Sequence, residues 1–216
     1  MNKKLEKYIN YRAVGKELNT QFFKELKSVE IKHAARLLGI FKNNRMVMAN
    51  EEEMDLFSDF AINDFRDVNG KNVVQRYYSK NSGILTIEEN EIIQSLLVSM
   101  TSLYKVESVD KNNATVCLKD VHSDQPKFDL TDLGLSSSPV SSSTMMFSRV
   151  MNIEGIFMST GAVMLFQESD APLIEKKYGS FTKKLGIKNK KAKKFAIFWK
   201  LNRRFGNKIS FNEITS

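Results

Sequence analysis

Cysteine, histidine and proline are scarce in this chain, and each scarcity closes off a class of protein. The single cysteine, Cys117, excludes an intramolecular disulfide and any multi-cysteine zinc site. The two histidines, His33 and His122, cannot supply the usual nitrogen and sulfur ligands of a zinc centre, so no metal or cofactor is expected. Three prolines and ten glycines leave little material for long linkers. No run approaches the roughly 20 apolar residues of a membrane span. The start Met1-Asn2-Lys3-Lys4-Leu5 lacks the apolar stretch that would make it a secretion signal. There is no phosphate-cradling glycine loop, serine-hydrolase elbow or kinase-like set, so no catalytic residue is nominated. What remains is a globular, cytoplasmic chain, 42% hydrophobic and 10% aromatic, that reads as a binding protein rather than an enzyme.

Acid is missing from one end. Between Lys176 and Ser216 stand thirteen Lys or Arg against a single acid, Glu213, a surplus larger than the whole chain's net charge of +8. The rest of the chain is therefore mildly acidic. A basic end on an acidic body calls for an anionic partner: nucleic acid, a ribonucleoprotein, an acidic protein or, as the least expected reading, a lipid surface.

Residues 1–103 read as helical. Leu5, Tyr8, Ile9, Val14, Leu18, Phe22 and Leu26 follow a loose helical spacing, and Ile31, Ala34, Ala35 and Leu38 a tighter one that Gly39 should end. Asn50 can cap a third helix, with Glu51, Glu52 and Glu53 against the dipole of its first turn and Met54, Phe57, Phe60, Ala61 and Phe65 as its apolar stripe. Val73, Val74, Tyr77 and Tyr78 predict a short helix. Thr86 with Glu89 forms a capping box ahead of Ile92, Ile93, Leu96, Leu97, Met100 and Leu103.

Residues 104–167 change period. Tyr104 to Val109 and Ala114 to Lys119 alternate around a turn at Asp110-Lys111-Asn112-Asn113, Phe128 and Leu130 suggest a third strand, and Met145–Ile153 and Ile156–Phe166 form a second hairpin around Glu154-Gly155. Four or five such strands predict a small antiparallel β-barrel or roll. The serine-rich segment from Ser136 to Ser143 reads as a flexible loop. Residues 168–216 return to helix, so the fold class is α+β: helical region, small β-barrel, basic helical C-terminus.

The same order of parts, together with Met54-Asp55-Leu56-Phe57-Ser58-Asp59-Phe60, Ser102-Leu103-Tyr104-Lys105-Val106, Val116-Cys117-Leu118-Lys119-Asp120, Phe147-Ser148-Arg149-Val150 and Thr160-Gly161, resembles a group of uncharacterised bacterial proteins with a helical N-terminal half and a small β-barrel after it. The resemblance implies an architecture and assigns no activity. Some of those proteins end in the cysteine-rich zinc motif known from the C-terminus of the SecA translocase. Here a basic segment stands in its place, so zinc binding is not carried over.

The candidate binding residues are Lys190, Lys193, Lys194, Lys200, Arg203 and Arg204. At about 100° per residue Lys193, Lys200 and Arg204 share one narrow stripe of a helix. Phe195, Ala196, Ile197, Phe198, Trp199 and Leu201 cover a wider arc than a free helix would expose, so the helix is expected to dock through its aromatics. The leading reading is a basic surface for nucleic acid or ribonucleoprotein. The alternative is an adaptor taking an acidic partner in a groove between helical region and barrel.

Other candidates have plainer explanations. Glu51, Asp55 and Asp59 recur every four residues, as on a solvated helix face. His122 reads as a turn residue, His33 as a partly buried helix residue, Cys117 as strand packing, and Gly155 and Gly161 as hairpin glycines.

Overall fold

The predicted helices form, though two of them end earlier than their apolar spacing suggests. A computed structural model describes residues 3–207; Lys208 and Glu213, part of the charge count above, lie outside these. The first helix, α1 (Lys3–Lys24), buries Tyr8, Tyr11, Leu18 and Phe22 along one side. Helix α2 (Ser28–Leu38) ends at Gly39, whose φ of 78° lets its amide reach back to the last carbonyls. His33 is exposed rather than partly buried, because the packed face of α2 is Glu30, Ala34, Ala35 and Leu38 and His33 lies off its edge. A two-residue hairpin follows, β1 (Phe41–Lys42) and β2 (Arg45–Met46), turning on Asn43 and Asn44 at positive φ.

Helix α3 (Glu52–Asp59) starts where Asn50 Oδ1 accepts the Glu53 amide at 3.1 Å and runs into one π-helical turn, Phe60–Asp64. Helix α4 (Val73–Asn81) carries a capping box of Asn72 and Gln75, and α5 (Ile87–Val98) the predicted one of Thr86 and Glu89. The helical spacing overruns at the far end of α5. The chain turns extended at Ser99, and Met100 and Leu103 belong to the next strand, because ladder bonds on both of its edges outweigh another helical turn.

Five strands follow: β3 (Met100–Asp110), β4 (Thr115–Asp120), β5 (Phe128–Thr131), β6 (Thr144–Ile153) and β7 (Ile156–Gln167). They close in the order β3-β4-β5-β7-β6. The expected all-antiparallel sheet is corrected here. Neighbours in a closed ring of five strands cannot all alternate in direction, and the odd contact is the parallel one, Leu130 against Phe157 between β5 and β7. The serine-rich segment is also more ordered than expected. Asp132 caps a short helix, α6 (Leu133–Ser137), by accepting the Leu135 amide at 2.9 Å, and Leu135, Ser136, Ser138 and Val140 are buried.

Two cores result, divided by β6 and β7. Inside the ring lie Tyr104, Val106, Val116, Leu118, Leu130, Leu135, Val140, Met146 and Leu165. Outside it, Met145, Phe147, Met151, Met158, Met164 and Phe166 face the helical layer. Into that layer run the last helices, α7 (Ala171–Lys184) and α8 (Lys190–Phe205). Phe198 stacks on Phe147 at 4.0 Å and Phe195 packs between Phe60 and Phe147, so α8 joins sheet and helices in one core. No helix among the described residues is long and apolar enough to cross a membrane.

Trp199 is the only tryptophan and is 1% exposed, so its emission should be blue-shifted and poorly quenched by acrylamide. Phe198→Ala should cost about 3–5 kcal/mol in denaturant unfolding, from lost burial and the cavity left behind. A solvent-like spectrum would contradict the docking of α8.

Candidate functional site

With most of its circumference packed, α8 has few directions in which to put its cations. Lys193, Lys200 and Arg204 follow one stripe of α8, and the last two of these meet α2 and α7. The Lys200 ammonium lies beside Gly39, the α2 cap, and the Arg204 guanidinium sits over Phe181 of α7 at 5.3 Å. Burial lowers the Lys200 pKa, and the nearby Arg203 and Arg204 lower it further. Lys190 is exposed at the start of the helix.

The other two nominated residues turn away. The Lys194 ammonium is drawn to Ser102 Oγ of β3 at 3.3 Å, where burial lowers its pKa. Arg203 grips both Glu53 oxygens at 2.7 Å, donates to the Val47 carbonyl and lies over Trp199. Burial alone would raise the Glu53 carboxyl, but Arg203 and the Ala49 amide hold it below the ordinary range. Lys190 and Arg204 are exposed and Lys193 and Lys200 half-buried, while Lys194 leans on Ser102 and Arg203, though exposed, is engaged by Glu53.

Sequence reasoning missed the neighbours of this stripe. No acid occurs between Ile31 and Asn50, a segment that exposes Lys32 and Arg36 on α2 and Lys42 and Arg45 on the β1–β2 hairpin. On the other side, α7 exposes Lys176, Lys183 and Lys184 opposite its buried Ile174. The signal was the absence of acid from Ile31 to Asn50, masked by the neutral apolar residues between the cations.

A second polar cluster is internal. Arg149 of β6 is 3% exposed and donates from Nε to both Asp59 oxygens at 3.3 Å and from Nη2 to Asp64 at 2.5 Å. Asn63 donates to Asp59, and Arg149 also reaches Ser99 Oγ. Burial pushes the Asp64 carboxyl above its ordinary range despite Arg149. At Arg149 burial acts the other way, but Asp59 and Asp64 outweigh it and hold the guanidinium charged. The solvated face expected for Glu51, Asp55 and Asp59 is corrected at Asp59: the first two are exposed, while Asp59 faces inward to Arg149. The π turn that follows places Asp64 on the same guanidinium.

Two open cavities adjoin at Asp55 and Gly161. One, of about 340 Å³, lies between α3, β7 and the end of α8 and is lined by Glu52, Glu53, Asp55, Arg203 and Arg204 among others. The other, of about 560 Å³, lies between α1, α3 and β7. His122 sits exposed in a turn closed by its own amide on Asp120, and Cys117 has its thiol pushed up by burial and by Asp129. Among the described residues no group of three or more His, Cys, Asp or Glu is placed to hold a metal ion.

Fold and site together define an α+β protein whose buried C-terminal helix ties a closed mixed sheet to a helical layer and carries a cationic stripe. Compared with known families, residues 2–212 match a family of unknown function, DUF7986, and the chain belongs to it. Searches of the curated proteins and of the solved structures return no match.

Arg149→Met should destabilise the fold by about 3–5 kcal/mol at neutral pH, because it strands two buried carboxylates. Without Arg149, burial lifts the Asp64 carboxyl still further above its ordinary range, so the loss is full above that folded pKa and shrinks as pH falls through it. Urea unfolding at neutral pH and near roughly pH 4 checks this. A loss that does not change with pH would mean that the carboxylates are not what is stranded.

Proposed function

We propose that the protein is a non-enzymatic binding protein that holds the phosphate backbone of a nucleic acid, free or within a ribonucleoprotein. The surface runs from α2 and the β1–β2 hairpin across the open stripe of α8 to α7. The observation that carries the reading is the meeting of two acid-free segments, Ile31–Asn50 and Lys176–Asn207, where Lys200 lies beside Gly39 of the first and Arg204 over Phe181 of α7. Backbone recognition needs only surface Lys and Arg, each phosphate so neutralised releasing counterions, and no base-reading geometry. The adaptor reading, with an acidic peptide in the groove between helices and sheet, has less support. That groove carries Glu52 and Asp55 beside Arg204, with Arg203 already spent on Glu53, so it offers an acidic occupant no surplus of cations.

Purified protein should carry nucleic acid that a high-salt wash removes, read from the ultraviolet absorbance ratio. Changing Lys193, Lys200 and Arg204 to Glu should weaken binding to random sequences alike. It should also flatten the slope of log affinity against log salt by about 0.9 for each phosphate that is no longer neutralised. An unchanged slope in a folded triple variant would remove this stripe from the account.

A further inference from the structure

The cavity between α1, α3 and β7 carries a different concentration of charge. At spacings of four, seven, eight, eleven and twelve residues from Arg12, one side of α1 presents Lys16, Asn19, Thr20, Phe23 and Lys24 to it. The three cations make no ion pair among the described residues; the Arg12 side chain donates only from Nη1, to the Ser159 carbonyl at 3.2 Å. The strand opposite is shaped around that guanidinium. Gly161 has φ 99°, and a Cβ built there would stand 2.9 Å from Arg12 Nη2. The positive φ favours glycine here, and the bare backbone leaves room for the guanidinium against the strand.

The facing carboxylates do not cancel this charge. Asp59 is spent on Arg149 and Asn63, which leaves Asp55 as the acid free to meet a ligand, on the rim shared with the smaller cavity. Between the charges lie Phe23, half-buried, Met54, 46% exposed, and Ile62. An exposed methionine and a phenylalanine edge beside three unpaired cations make a wall for a flat apolar group next to a clamp for an anion.

We propose that this cavity binds a phosphorylated small molecule of mononucleotide class. Arg12, with its remaining N–H groups, and Lys16 hold the phosphate, the guanidinium fork matching phosphate oxygens in pairs. The base lies against Phe23, Met54 and Ile62, and Asp55 with Asn19 takes the polar edge or ribose hydroxyls. A volume of about 560 Å³ lies within the range of small-ligand pockets and is too small for a folded partner. The site shares no residue with the α8 stripe and does not rest on the nucleic-acid reading.

Calorimetric titration of the full chain tests it, with inorganic phosphate, each common ribonucleoside monophosphate and a short single-stranded RNA as probes at up to millimolar concentration. At least one monophosphate should bind more tightly than phosphate alone. Lys16→Glu, a change at an exposed position, should weaken that binding by about tenfold or more, as removal of a charge-assisted hydrogen bond does. Lys24→Glu serves as a second variant if the first does not fold. The triple Glu variant of Lys193, Lys200 and Arg204 should bind the monophosphate as the parent does. The proposal is overturned if no monophosphate binds better than phosphate. It is equally overturned if Lys16→Glu and Lys24→Glu bind like the parent, if the triple variant is the one that loses the ligand, or if RNA alone responds to Lys16→Glu.

Discussion

The burial of α8 is the constraint on which the rest of the structure depends. Its Phe198 lies flat on Phe147 of β6, its Phe195 touches Phe60 of the π turn, and Trp199 is closed in behind. Each side chain so buried contributes about 1.5–3 kcal/mol of transfer energy, and α8 joins α3 and α5 in tying the outer face of the sheet to the helical layer. A helix this rich in lysine and arginine can be placed in a core only if its charges find exits. Three leave through the seam between α2 and α7, while Arg203 is neutralised by Glu53 and Lys194 leans on Ser102. The cationic stripe is thus the by-product of a packing problem and a surface available for binding.

The buried ion cluster solves a related problem on the same face of the sheet. Arg149 lies on a strand between Phe147 and Met151, which pack in the helical layer, and its charge must be met within that layer. Asp59 and Asp64 lie on consecutive turns and reach one guanidinium because the chain between them winds as a π turn. The pairing is costly to break, and its net contribution is small compared with its role in fixing how α3 sits on β6.

Two surfaces of like charge then lie on different parts of the molecule for different reasons. The seam beside α8 brings Lys200 next to the end of α2 and Arg204 over Phe181 of α7. The cavity beside α1 is bounded by β7 where its register with β6 shifts and Gly161 takes a positive φ. Both arise where helices meet the sheet and where the acids of the body are already engaged, as Glu53 is by Arg203 and Asp59 by Arg149.

Local features were legible in the residues alone. The capping box of Thr86 and Glu89, the Gly39 stop, the Glu154-Gly155 turn, the docked aromatics of α8 and the segregation of charge toward the C-terminus all follow from hydrogen bonds or periodicity within a few residues. The tertiary structure decided what depends on partners far apart in the chain. Arg149 meets Asp59 and Asp64 across separations of 90 and 85 residues, and Arg203 meets Glu53 across 150. No local pattern marks such a pair, since an acid at a helical spacing looks the same whether it faces water or an arginine. The same holds for the acid-free segment beside α8 and for the cluster around Arg12. Their charges act together only because helix packing brings separate stretches of chain to one seam or one cavity, and packing geometry is not written in any single stretch.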